Sequence, residues 1–422
     1  MEKTLFISIL VILIAGFVIS RVLDFFNDKT WKKKLPDDLK EFYTEEEYQK
    51  AKNYHHENSV ISIITEIIGF VLMIGFFIFG GFGWLNDLLS QSISNPIILA
   101  LSFFGILYIV SDLISIPFSI YSTFIIEEKY GFNKTTPKTF VLDKLKGYLL
   151  TIILGGGILA LIFWLILVLE KDFWIVAFVA ITVISLFMSM FYTTLIVPLF
   201  NKLTPLEDGD LRSAIEKYSQ KVDFPLTNIF VINGSKRSSK ANAYFSGFWK
   251  KKKIVLYDTL IEKHGVNELV AVLAHEVGHY KKKHIIKGMI MSSVQTFVML
   301  FILSLLIFNN EFSSIFYFNV SDGSFDIQQK AVLHINLIAF SILYEPVSML
   351  VGLLGNVISR KHEYQADNFA ITTTNKEDLP KSLKKMSVDH LSNLKPHPAY
   401  VFFYYSHPPL MKRLEAMKIV ND

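Results

Sequence analysis

The chain has 422 residues, of which 51% are hydrophobic and 19% charged, and its formal net charge is +4. Soluble domains hold nearer about 25% charge, so the balance points to a membrane, and the mild positive excess gives no sign of a nucleic-acid partner. There are no cysteines. That excludes disulfides, thiolate metal sites and a cysteine nucleophile, and leaves His and Asp/Glu to hold any metal.

A spanning helix needs roughly 20 mostly apolar residues. Seven runs meet this, at 4–22, 59–84, 97–121, 148–169, 173–199, 287–308 and 331–356. The first ends on Arg21 with no small-residue cleavage site, so it reads as an uncleaved span rather than a signal peptide. Gly155-Gly156-Gly157 in the fourth run reads as a close-packing or bending point. Lys and Arg gather after the first run (Lys29, Lys32, Lys33, Lys34), after the third, between the fifth and sixth, and in the tail. The intervening loops nearly lack them: 85–96 has none, 170–172 only Lys171, and 309–330 only Lys330. This alternation predicts an outside N-terminus, with the 200–286 loop and the C-terminus in the cytoplasm.

The predicted organisation is therefore five spans with their loops over 1–199, a soluble insertion at 200–286, two spans at 287–356, and a helical tail at 357–422. Within the insertion, 207–222 reads as an amphipathic helix. Asn228–Ile232, Asn242–Phe248 and Ile254–Tyr257 read as strands, with a turn at Lys250–Lys253, and Asn267–Lys283 reads as a helix. The tail breaks at Pro396-His397-Pro398 and at His407-Pro408-Pro409.

The last helix of the insertion carries His275-Glu276-Val277-Gly278-His279, an H-E-x-x-H. Histidines four apart project from one helix face and can share one metal ion. The Glu after the first can serve as general base toward a metal-bound water. One buried histidine is commonly a core residue; two at this spacing around a Glu are a poor fit to that reading. A catalytic zinc takes three protein ligands and leaves a position for water. Lys282 and Ile285 stand where H-E-x-x-H-x-x-G-x-x-H would need Gly and His, so that class is excluded. Glu363 and Asp367, four apart after the last run, share a face: one can bind metal while the other accepts the free N–H of a ligand histidine. A solvated helix charge beside Lys361 is the competing reading of Glu363. His284 reads as structural or hydrogen-bonding, and Lys281–Lys283 as a solvated or headgroup-facing patch.

Several ordered segments resemble the type-I CAAX prenyl protease family. They are Ile126-Glu127-Glu128-Lys129-Tyr130-Gly131-Phe132-Asn133, Ser239-Lys240-Ala241-Asn242-Ala243-Tyr244-Phe245, Lys253-Ile254-Val255-Leu256-Tyr257-Asp258-Thr259-Leu260, the H-E-x-x-H helix, Glu363-Tyr364-Gln365-Ala366-Asp367, and Ser406-His407-Pro408-Pro409-Leu410. The resemblance spans essentially the whole chain. It implies an all-α polytopic membrane protein, seven helices enclosing a water-filled chamber, and a small α+β insertion of gluzincin type. It implies one Zn2+ held by His275, His279 and Glu363, with Glu276 as general base and Asp367 behind the ligands. It also implies that Asn242, Ala243 and Tyr244 lie on an edge strand facing the substrate, and that His407 and Arg413 lie near the site and stabilise the oxyanion.

The reading is thus a membrane-embedded zinc endopeptidase acting on a peptide or protein, prenylated or not, within the lipid bilayer. The alternatives are a quality-control protease of misfolded membrane proteins and, outside enzymes, a zinc-regulated transporter or scaffold, which has no need of Glu276. Compact loops and no evident retrieval tail point to a bacterial inner membrane; a eukaryotic source would mean the endoplasmic reticulum. Oligomeric state leaves no signal in the sequence.

Overall fold

The computed structural model describes residues 2–226, 228–246, 253–317 and 332–419. The apolar runs form long helices: α1 (Glu2–Asp28), α2 (Glu45–Ile78), α3 (Gly81–Ser90), α4 (Pro96–Tyr121), α5 (Pro137–Leu150), α6 (Gly157–Leu169) and α7 (Phe173–Leu195). Their starts follow local chemistry. Thr44 and Glu47 form a capping box on α2, while Asn95 and Thr136 cap helices that begin with proline. The predicted run 59–84 is not one helix. It ends at Ile78, and Gly80 takes φ 69° before α3 turns away, a conformation glycine adopts without steric cost. The glycine-rich stretch lies at a change of helix type: Thr151–Gly156 is a π-helical turn joining α5 to α6.

Among the described residues, six apolar helical stretches are long enough to cross a membrane by length and composition, one of them the 64 residues of 137–200. A single rod of that length would measure about 96 Å, three times a hydrocarbon core. It doubles back instead at Glu170, whose φ is 47°, so that Leu165 and Ile166 of α6 share a buried cluster with Phe173 and Ala177 of α7.

After α7 come β1 (Leu203–Pro205), α8 (Asp210–Lys221), β2 (Asn228–Ile232), β3 (Ala243–Ser246), β4 (Lys253–Tyr257) and α9 (Val266–Lys281). The sheet order is β1-β2-β4-β3. β2 and β4 run parallel, with Phe230 opposite Val255. β3 pairs antiparallel with β4, Ala243 opposite Leu256 and Tyr244 opposite Val255, and so forms one edge. β1 was not expected from the sequence; the turn expected at Lys250–Lys253 lies outside the described residues except for Lys253, which opens β4.

The chain returns to the membrane as α10 (His284–Leu306) and α11 (Leu333–Thr373), then closes with α12 (Asp378–Asp389), α13 (Pro398–Tyr404) and α14 (Leu410–Ile419). Here the helix of the last span runs unbroken through the expected boundary at 356/357. α11 is one continuous helix of 41 residues, about 61 Å long. It outruns the bilayer core and carries Glu363 and Asp367 into the soluble insertion. Ala370 and Ile371 of α11 join Ile215, Leu256, Leu269, Leu273 and Val277 in one buried core.

Burial along the long helices is uneven. No residue is buried over 10–22 of α1, 52–76 of α2, 104–121 of α4, 137–162 of α5 and α6, 178–192 of α7, 285–299 of α10 or 345–362 of α11. Buried clusters hold them at their ends instead: one around Ile9, Phe77, Phe103 and Ile335, one around Ile166, Phe173 and Leu300, and one around Tyr48, Ile126, Phe132 and Leu410. Packed helices bury a stripe along their whole length. These instead carry their buried residues toward their ends and leave long middle stretches exposed.

Candidate metal centre

α9 is a conventional helix locally. Glu268 closes its first turn on the Gly265 N–H, and Leu269, Leu273 and Val277 bury one face. The 275/279 face is turned to α11. The two backbones meet at Gly278, where an added Cβ would lie 2.9 Å from Ala366 Cα. Only glycine permits that approach.

The approach brings three predicted residues together. His275 Nε2 and His279 Nε2 lie 3.1 Å apart. Glu363 Oε2 is 3.4 Å from His275 Nε2, and Oε1 is 3.2 Å from His279 Nε2. A tetrahedral ion with bonds of about 2.1 Å holds its ligand atoms about 3.4 Å apart, so the spacing suits a metal. The chemistry agrees, since the donors are two imidazoles and one carboxylate. Glu363 is 3% exposed, and its Oε2 is buried with no hydrogen-bond partner. An unsatisfied buried oxygen costs about 1–3 kcal/mol, a cost a cation at this point would remove.

Asp367 lies directly behind. Its Oδ1 accepts from His275 Nδ1 at 2.8 Å. Arg413 of α14 grips the same carboxylate twice, Nε to Oδ2 at 2.8 Å and Nη2 to Oδ1 at 2.5 Å. Burial pushes the His275 pKa down, but its hydrogen bond to Asp367 and the neighbouring Glu363 carboxylate outweigh this and raise it to about 9. The pocket therefore favours positive charge at this spot. Glu276 faces the other way electrostatically: burial pushes its carboxyl up from the usual range, which makes it a better proton acceptor near neutral pH.

A cavity of about 460 Å³ opens over the cluster, lined by Tyr244, His275, Glu276, His279, Glu363 and His407 among others. Of the strand residues expected to face a substrate, Tyr244 reaches this cavity. Ala243 pairs with Leu256, and the Asn242 carbonyl accepts the Tyr257 N–H at 3.1 Å. His407 Nε2 lies 3.4 Å from Glu363 Oε1 with its side chain largely exposed. Arg413 instead lines a second cavity, of about 320 Å³, behind the cluster. It is placed to hold Asp367 rather than to meet a reacting carbonyl.

Sequence reasoning missed three contributors. Gly278 occupies an unspecified position of the motif. Gln365 accepts from His284 at 2.8 Å. His390 accepts the Ala241 N–H at 3.0 Å and so anchors the lead into β3. Gln365 lies inside the Glu363–Asp367 segment, whereas nothing local in the sequence marks His390.

A family model described as the CAAX prenyl protease N-terminal domain with five membrane helices matches residues 26–202, and one for peptidase family M48 matches 205–420. CAAX prenyl protease 1 of Saccharomyces cerevisiae is 35% identical over 92% of this chain and 89% of its own. The Arabidopsis thaliana homolog is 37% identical over 91% and 90%, and the human homolog 31% identical over 92% and 89%. The crystal structure of S. mikatae Ste24p superposes with a TM-score of 0.91 at 33% identity, covering 98% of this chain and 99% of that one. Two matched halves in order, relatives aligned over nearly their whole length and a shared fold lead to one conclusion: the chain belongs to the CAAX prenyl protease 1 family of M48 metallopeptidases and is a multi-pass membrane metalloprotease.

Proposed function

We propose that the protein is a zinc endopeptidase cutting near the C-terminus of CAAX-type peptides, with His275, His279 and Glu363 as zinc ligands. The observation that carries this is the single cavity holding the ligand cluster, Glu276 and the edge-strand residue Tyr244. Bound there, zinc would supply a Lewis acid and lower the pKa of a water to about 7. Glu276 takes the proton of the attacking water and returns it to the leaving amine. Asp367 holds the N–H of His275, and Arg413 holds Asp367. His407, exposed in the cavity beside Glu363, is placed to donate to the developing oxyanion. A substrate strand adds to the free edge of β3 at Asn242–Tyr244, read through its backbone, so side-chain selectivity is loose.

The membrane arrangement follows the loop charges. Counting the 137–200 hairpin as two crossings gives seven, with the N-terminus outside and the insertion and tail cytoplasmic. The test is cleavage of a farnesylated CAAX peptide and its unmodified counterpart by purified protein. The farnesylated peptide is expected to be cut, and a chelator to stop the reaction. Glu276→Gln is expected to keep its zinc and lose about 10²–10⁴-fold in kcat. Undiminished turnover by that variant would sink the mechanism; cleavage of both peptides at equal kcat/KM would remove the prenyl dependence.

A further inference from the structure

The second histidine of the motif is held differently from the first. Its Nε2 faces Glu363, while its Nδ1 lies 3.1 Å from Nδ1 of His284, the first residue of α10. On an unbroken helix a residue five positions on would not share the face of His279. It does so here because Lys283 takes a left-handed conformation, φ 58°, and breaks the chain between α9 and α10. His284 is 5% exposed and stacks on His362 of α11 at 3.9 Å, with an interplanar angle of 9°. Its Nε2 lies 2.8 Å from Oε1 of Gln365, also on α11.

These contacts fix where the protons sit. A carbonyl oxygen only accepts, so His284 carries its proton on Nε2 and gives it to Gln365. His284 Nδ1 is then a lone pair. The proton between the two rings belongs to His279 Nδ1, which leaves the His279 Nε2 lone pair aimed at the metal position. Asp367 performs the corresponding task for His275.

We infer that His284 is a positioning residue for the metal centre: it accepts the His279 Nδ1–H and selects the tautomer and ring orientation that let Nε2 bind metal, with Gln365 orienting His284 in turn. This rests on the reading of His279 as a zinc ligand. Partners of this kind commonly change metal affinity by about 10–100-fold. A neutral imidazole is a weaker acceptor than the carboxylate serving His275, so the two ligands are tuned unequally.

The test is zinc affinity of the full-length protein by chelator competition, together with the absorption spectrum of the cobalt-substituted form. His284→Phe keeps a ring against His362 and removes the acceptor; affinity is expected to fall about 10–100-fold, with a shifted cobalt spectrum. His284→Gln restores an oxygen acceptor and is expected to recover most of that loss. Equal losses in both variants, or His284→Phe within about twofold of the parent, overturn the assignment. Where the phenyl ring prevents folding, His284→Leu takes its place in the same comparison. His279→Ala separates the two readings. If it keeps the parent's zinc affinity, the ligand reading fails; if it loses zinc while His284→Phe does not, only the role of His284 falls.

Discussion

Gly278 and Ala366 touch backbone to backbone: a methyl group on Gly278 would meet Ala366 Cα at 2.9 Å and its carbonyl oxygen at 3.1 Å. Gly278 lies between His275 and His279, and Ala366 between Glu363 and Asp367, so this contact sets the width of the metal cluster. Neither atom met is the end of a flexible side chain. Gly278→Ala should push α9 from α11, cost about 1–3 kcal/mol by overpacking, and lower zinc content. Elemental analysis and thermal unfolding check it; parent-like zinc in the folded variant would refute it.

Among the described residues, Arg413 alone grips Asp367 bidentately. Its removal leaves a buried carboxylate, 2% exposed, with His275 alone. Breaking a buried pair from one side costs about 3–5 kcal/mol. Arg413→Ala should therefore lower unfolding stability and zinc affinity together. Arg413→Lys, which cannot make the planar double contact, should fall between Ala and the parent. If Arg413→Ala lost only kcat, with stability and zinc intact, Arg413 would be acting on the substrate instead.

His390 gives the chain an acid-sensitive joint. Its Nε2 must be neutral to accept the Ala241 N–H. Burial, followed by the charges of Lys240 and Lys263, lowers its pKa from the usual histidine value. The unfolded chain titrates near about 6.5, so it binds the proton first. The stabilising effect is complete above that pH and is lost as pH falls below it toward the lower folded value. His390→Gln, an acceptor that does not titrate, should flatten the acid limb of an unfolding free-energy profile against pH by about 1 kcal/mol. Parallel profiles for variant and parent would rule this out.

Lys240 ties the lead of β3 to the membrane helices. Its Nζ donates to Glu127 at 3.0 Å and to the Tyr54 hydroxyl at 2.9 Å, and sits 4.3 Å from the Phe132 ring centroid. Lys240→Met keeps the stem but frees the strand from this anchor. KM for a peptide should rise about tenfold, equivalent to about 1.4 kcal/mol, with a smaller change in kcat. Steady-state kinetics over a substrate series decides this, and an effect confined to kcat would contradict it.

Much of this site was legible because its chemistry is carried by residue types. His275, Glu276 and His279 announce themselves at i, i+1 and i+4, and Glu363 with Asp367 share a helix face. What sequence could not show is contact between distant segments. Gly278 fills a position where the motif accepts any residue, and its reason lies 88 positions away at Ala366. The break at Gly80 escaped notice because hydropathy continues through Phe82 and Trp84 while the backbone does not. Hydropathy ends near 356, with charges at Arg360 and Lys361, yet a helix is indifferent to which side chains leave the lipid and runs on to Thr373. β1, three residues ending in proline, is too short to show a period.

Helices whose buried clusters lie toward their ends resemble the staves of a cask, hooped above and below. Midway along such a stave, away from contacts such as Phe17 stacked on Phe70, exposed positions have room for a larger side chain. Enlarging substitutions at exposed positions such as Ile67, Val71, Leu350 and Leu354 should therefore cost little stability, whereas the same changes at Phe77, Phe103 or Leu300 should cost what core changes cost. The tolerance map of this chain would accordingly show three bands, permissive across its waist and strict at both rims.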